Sequence, residues 1–188
     1  MSAPAGRMAV FLDRDGVLNE ALVRDGKPYP PASVDEVVLR AGVRGACRAL
    51  SDAGALLVVV TNQPDLARGT TTRAAVDAIN DHLTAELGLD AVRVCGHDDA
   101  DGCACRKPKP GLILEAAEEL EIDLGRSLMV GDRWRDIEAG ARAGLTTVWV
   151  RNDYDERRPD APDHVVDGLG EVIPLVTRSS ARKEAQST

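Results

Sequence analysis

Short apolar runs rich in β-branched residues recur along this chain, and between them lie segments with the period of an amphipathic helix. The runs are Met8–Leu12, Leu56–Val60, Ala91–Val94, Leu128–Val130 and Thr146–Val150. Each is short, without internal polar alternation, as expected for a strand buried on both faces. The helical segments are Gly42–Ala53, Thr72–Leu87, a stretch opened by Pro110, and Arg133–Ala143. In the second, Val76, Ile79, Leu83 and Leu87 share one face, and Gly88 follows as a C-cap. Such alternation leads to an α/β, Rossmann-like three-layer sandwich with a mostly parallel sheet. Two long irregular stretches, 19–34 and 95–111, read as loops, the first as a flap. In parallel sheets such loops gather at the strands' C-terminal ends, where ligands bind.

Composition bounds the function. Only 3 % of the 188 residues are aromatic, so Val, Leu, Ile and Ala must fill the core. A net charge of −8 disfavours nucleic acid and anionic membrane as partners, and means that any phosphate site must supply its own cations. No apolar run approaches the roughly 20 residues of a membrane span, and residues 1–7 lack a secretory signal. The expectation is a cytoplasmic monomer, one domain over 1–177, with a disordered tail from Arg178. Cys47 sits at helical spacing with Val43 and Leu50 and reads as core.

Four segments carry chemistry. Phe11-Leu-Asp13-Arg-Asp15-Gly runs an apolar strand into two carboxylates and a glycine that permits a sharp turn. Two acids so placed can hold a hard divalent cation, and can divide the roles of nucleophile and acid; a β-turn or calcium loop has the same local pattern. Val58-Val-Val-Thr61-Asn62-Gln63 ends the next strand in a hydroxyl. Cys105-Arg106-Lys107-Pro-Lys-Pro-Gly111 sets cations before a helix N-terminus, where anions are favoured. Met129-Val-Gly131-Asp132-Arg133-Trp-Arg-Asp136 ends another strand in a carboxylate. Each alone has a structural explanation, but four at strand ends or loops point to one site.

In that order these motifs resemble the haloacid dehalogenase superfamily of phosphotransferases. The resemblance runs from about residue 8 to about 150. It implies that Asp13 attacks the phosphoryl group, that Asp15 serves as acid and then base, and that Thr61 and Lys107 hold phosphoryl oxygens. It further implies a Mg²⁺ held by Asp13, Asp132 and the backbone carbonyl of Asp15. Two roles are open for Asp136: orienting Lys107 or supporting the metal shell.

Cys95-x-His97-x₅-Cys103-x-Cys105 offers three thiolates and an imidazole, a full tetrahedral set for a structural Zn²⁺. Incidental cysteines, or redox pairing of Cys103 with Cys105, are the competing readings. Together with Asp-Arg-Asp-Gly and Thr-Asn-Gln, this loop resembles the branch containing the heptose-1,7-bisphosphate 7-phosphatases and histidinol-phosphate phosphatases, which has no separate cap domain. A small phosphorylated metabolite is then the expected partner, a sugar bisphosphate before histidinol phosphate. Asn62, Gln63, Arg106 and Arg133 are the candidate substrate contacts. Asp98, Asp99 and Asp101 could attract a cationic amine or form a solvated turn, and Arg106 could pair with one of them. Pro64 departs from the branch pattern and removes a backbone donor.

Overall fold

A computed structural model describes residues 6–177. All five expected strands form: β1 (Ala9–Leu12), then, after a hairpin of β2 (Leu22–Arg24) and β3 (Lys27–Tyr29), β4 (Leu56–Asn62), β5 (Ala91–Cys95), β6 (Leu128–Gly131) and β7 (Thr146–Val150). A sixth sheet strand, β8 (His164–Val166), completes a parallel sheet of order β5-β4-β1-β6-β7-β8. The helices are α1 (Val43–Asp52), α2 (Asp65–Arg68), α3 (Arg73–Leu87), α4 (Gly111–Glu119) and α5 (Trp134–Ala143).

Side chains on β1 alternate between two cores, as the pleat requires. Val10 and Leu12 pack with α1 and α3 through Leu50, Ile79 and Leu83, and Cys47 is buried there as expected. Ala9 and Phe11 face Leu112, Ile113 and Ala116 of α4 and Ala139 of α5. The result is three layers, helices on both faces. Burying one such Val, Leu or Phe is worth about 1.5–3 kcal/mol. Thr72 caps α3 by accepting from the Ala75 N–H at 3.2 Å, and Gly88 ends it at φ 67°, as its sequence predicts. Pro110 lies just outside its helix, at the N-cap of α4.

The strand order reverses at β1, which lies between β4 and β6. Chain connections therefore diverge on either side of it and open a crevice at the C-terminal ends of these three strands. The 19–34 stretch, expected as a loop, contains the β2–β3 hairpin, tied to the 151–163 loop by the Asp155 N–H donating to the Gly26 carbonyl at 2.8 Å. Among the described residues no element forms a separate cap, and no helix is long and apolar enough to cross a membrane. The tail expected from Arg178 lies outside the described residues.

Candidate active site and the neighbouring thiolate cluster

Asp13 follows β1, Thr61 and Asn62 end β4, and Asp132 follows β6, so three strands deliver the expected residues to one crevice. Lys107 arrives from the loop before α4 and is 2 % exposed. Its ammonium donates to Asp13 Oδ1 at 2.8 Å and to the Val60 carbonyl at 2.7 Å, and lies 2.6 Å from Asp136 Oδ1. Of the two roles open for Asp136, the geometry favours orienting Lys107: its second oxygen accepts the Arg133 N–H at 2.9 Å. Both Asp136 oxygens are engaged, although the carboxylate stands within the same group as Asp13 and Asp132.

The electrostatics call for a cation. Three buried carboxylates, Asp13, Asp132 and Asp136, face one ammonium, which leaves two negative charges unmatched. Burial pushes the Asp13 carboxyl up to about 6, against the pull of Lys107. Burial, then the Asp13 and Asp136 charges, raise Asp132 well above the carboxylate range. Burial also disfavours the charge on Lys107, but Asp13 and Asp136 reverse this and hold its pKa above the ordinary value. Both Asp132 carboxylate oxygens are buried. The Tyr154 hydroxyl stands beside them as a hydrogen-bond partner, and burial followed by the Asp132 charge raises the Tyr154 pKa. Two neighbouring buried carboxylates, Asp13 and Asp132, that one ammonium does not neutralise suit a hard divalent cation. Gly16 makes the approach possible: at φ +91°, a Cβ there would stand 1.9 Å from Asp132 Oδ2.

Asp15 stands apart from this group. Arg14, 1 % exposed, grips its carboxylate through Nε at 3.1 Å and Nη2 at 2.9 Å, and is braced in turn by Asn80 at 3.0 Å. Asn19 and Gln63 donate to the same carboxylate at 3.0 and 2.9 Å. The Gln63 amide also donates to Thr61 Oγ at 3.0 Å, which leaves the Thr61 hydroxyl proton free to donate. Gln63 is 2 % exposed, so the expected substrate contact is instead a brace behind the pocket wall. Asn62 lines the pocket, and its amide exchanges hydrogen bonds with the Lys107 backbone at 3.0 and 3.1 Å. Sequence reasoning missed the Arg14 clamp, although the residue lies inside the motif.

The pocket over these groups has a volume of about 340 Å³, within the range of small-molecule sites. The hairpin residues Lys27 and Tyr29 form one side. Arg106 and Arg133 both reach the pocket, each already paired: Arg106 with Asp99 at 2.8 Å, Arg133 with Glu156 in a two-point contact at 3.0 and 2.6 Å. Pro64 lines it too, as the N-cap of α2.

Beside this pocket, Cys95, His97, Cys103 and Cys105 converge. Their Sγ–Sγ distances are 3.2, 3.5 and 3.7 Å, and His97 Nδ1 lies 3.6 and 3.3 Å from Cys95 and Cys105. A tetrahedral zinc–thiolate site has edges of about 3.8 Å, so the sulfurs stand up to about 0.6 Å closer together than such a site needs, a small opening away from it. A disulfide needs about 2.05 Å, and all four cysteines are free. Burial and the neighbouring thiols push Cys105 up to about 12, so these thiols would not ionise together without a cation. The cluster can therefore hold a metal.

Known proteins share this architecture. The HAD-hydrolase-like family model matches residues 104–172. The D-glycero-β-D-manno-heptose-1,7-bisphosphate 7-phosphatase of Escherichia coli is 35 % identical over 193 residues, spanning 95 % of this chain and 97 % of that one. Its counterpart in Mesorhizobium japonicum is 40 % identical over 154 residues, 76 % of this chain and 68 % of that one. The crystal structure of D,D-heptose 1,7-bisphosphate phosphatase from B. bronchiseptica, complexed with magnesium and phosphate, superposes with a TM-score of 0.77 at 33 % identity. It covers 91 % of this chain and 99 % of that one. With identity above 30 % along nearly the whole length, this chain belongs to the heptose-bisphosphate phosphatase family of HAD-like hydrolases.

Proposed function

We propose that this protein is a Mg²⁺-dependent phosphomonoesterase that removes the 7-phosphate of D-glycero-D-manno-heptose 1,7-bisphosphate. One observation carries the chemistry: the buried carboxylates of Asp13 and Asp132 stand together at a strand switch point, with Lys107 bound to Asp13. The substrate comes from the family, whose named members act on that bisphosphate.

Asp13 Oδ attacks phosphorus as the bond to the sugar oxygen breaks, giving an aspartyl-phosphate. Asp15 gives its proton to the departing oxygen, then takes one from the water that hydrolyses the acyl phosphate. In the free protein Arg14, Asn19 and Gln63 all donate to the Asp15 carboxylate, so to carry a proton it must release some of these donors and turn toward the leaving oxygen. Lys107 and the Thr61 hydroxyl hold the phosphoryl oxygens where negative charge develops. Held by Asp13, Asp132 and the Asp15 backbone carbonyl, magnesium would supply the positive charge that lets a phosphate dianion approach Asp13.

The thiolate cluster is assigned to a structural Zn²⁺, because all four positions are filled by the protein. The reading extends to one capless domain through residue 177 and to a cytoplasmic monomer. Histidinol phosphate is disfavoured, since of Asp98, Asp99 and Asp101 only Asp99 lines the pocket, and Arg106 and Arg135 hold it.

Phosphate release should be measured with heptose 1,7-bisphosphate, histidinol phosphate, a nucleotide and an aryl phosphate. The bisphosphate should lead in kcat/KM by at least about tenfold, and Asp13→Asn should abolish turnover. Equal rates across the panel would refute the substrate; retention of more than about a tenth of the activity in Asp13→Asn would refute the covalent mechanism.

A further inference from the structure

The chain that leaves β7 closes over Asp132 from two directions. β7 lies beside β6 with Trp149 opposite Gly131, so its exit passes the residue that follows β6. Trp149 Nε1 donates to the Asp132 backbone carbonyl at 2.9 Å, and the Asn152 amide donates to the same oxygen. Asn152 Oδ1 then accepts the Tyr154 N–H at 3.1 Å, in a turn that brings the tyrosine back toward β6. The Tyr154 hydroxyl hydrogen-bonds the Asp132 carboxylate. One short segment thus holds this aspartate at its main chain and at its side chain.

The placement is close. A Cβ at Gly16 would stand 1.9 Å from Asp132 Oδ2 and 2.9 Å from the Tyr154 hydroxyl, so both oxygens converge on one point at the turn after β1. Asp132 is buried and Tyr154 half-buried. A phenol at neutral pH donates to a carboxylate, and each carboxylate oxygen has lone pairs for more than one partner. The hydroxyl can therefore hold one lone pair of Asp132 while the carboxylate offers others to a cation. Hydrogen bonds to a ligating carboxylate fix its direction, and losing such a partner typically weakens metal binding by about 10–100-fold.

The next two residues face the substrate side. The Asp155 N–H donates to the Gly26 carbonyl of the hairpin at 2.8 Å, and Glu156 holds Arg133 in its two-point contact. Asp155 and Glu156 line the pocket, whereas Tyr154 turns inward to Asp132. The tyrosine therefore acts through the aspartate and not on the substrate. We propose that Tyr154 is a positioning residue for the magnesium site, its hydroxyl fixing the Asp132 carboxylate in the direction in which it binds the cation. This rests on the magnesium-dependent phosphatase reading above.

Magnesium binding can be measured without turnover, by calorimetry on the substrate-free full chain. Tyr154→Phe keeps the ring and removes only the hydroxyl. It should raise the magnesium Kd by about tenfold or more. Its Tm in the absence of magnesium should stay within about 4 °C of the wild type. A Kd within about threefold of the wild type would overturn the assignment. A larger fall in the metal-free Tm, or failure to fold, would overturn it too, because the hydroxyl would then support packing. Asp132→Asn in the same titration separates this proposal from the cation reading. Weakened binding in Asp132→Asn with none in Tyr154→Phe removes the tyrosine's role alone. A wild type that binds no magnesium, or an Asp132→Asn variant that binds it as the wild type does, removes the cation site and the tyrosine's role with it.

Discussion

Lys107 and Asp136 meet at 2.6 Å, and their side chains are only 2 % and 3 % exposed. Because the other Asp136 oxygen accepts the Arg133 N–H, this carboxylate joins the first turn of α5 to the lysine. We propose that it acts through Lys107 rather than through the metal. Asp136→Asn should lower kcat by at least about tenfold, from misplacement of the ammonium. The magnesium concentration for half-maximal rate should move by less than about threefold, whereas Asp132→Asn should raise it far more. Magnesium titrations of both variants would decide the matter. Equal shifts in the two would make Asp136 a ligand.

Gly16 and Asp132 are in close approach, and an alanine at 16 would have to displace the carboxylate. Left-handed backbone at an alanine also costs about 1–2 kcal/mol. Gly16→Ala should therefore lower Tm and raise the magnesium requirement by about tenfold or more. Wild-type magnesium dependence in a folded variant would contradict the assigned site.

The thiolate cluster holds a segment whose Cys103 and Cys105 pack on the α4–α5 core while its acids reach the pocket. Purified protein should carry about one zinc per chain. Cys105→Ser should lose it, with a fall in Tm on the order of 10 °C that added magnesium does not reverse. Elemental analysis beside thermal melts tests this. A zinc-free variant with unchanged Tm would show that the metal has no structural part.

Asp163 accepts from the Thr147 N–H at 2.8 Å and the Thr147 hydroxyl at 2.7 Å, bonds that hold its pKa below the ordinary carboxylate value. A depressed folded pKa means that the native state binds fewer protons than the unfolded chain. Its contribution is thus present in full above about pH 4 and disappears as pH falls through the folded pKa. Being solvent-exposed, it should be worth no more than about 1 kcal/mol. Asp163→Asn should lower Tm at pH 7, and the gap to wild type should close toward pH 3. Melts at constant ionic strength check it, and a gap independent of pH would rule the linkage out.

The sequence by itself determined five of the six sheet strands and the identity of the candidate reactive groups. Interior parallel strands are buried on both faces, so they are written as unbroken apolar runs, and the polar residue that ends each run is necessarily at the crevice. Asp13, Thr61 and Asp132 were legible for that reason, and the four metal-cluster residues because they lie close together in one loop. Only the tertiary structure revealed β8 and the β2–β3 hairpin. β8 is an edge strand with His164 and Val165 exposed, and the hairpin strands have no buried residue. Neither therefore has the pattern of an interior strand. Of the partnerships in the site, Asp136 with Lys107 and Arg106 with one of the loop acids stood among the sequence's alternatives, and the others were hidden. Arg14 meets Asn80, Asp136 meets Lys107, Glu156 meets Arg133, and Asp99 bridges Arg106 and Arg135. Local pattern records which side chains are charged. Which of them share a carboxylate depends on where packing brings segments that lie tens of residues apart, and only the folded chain decides that.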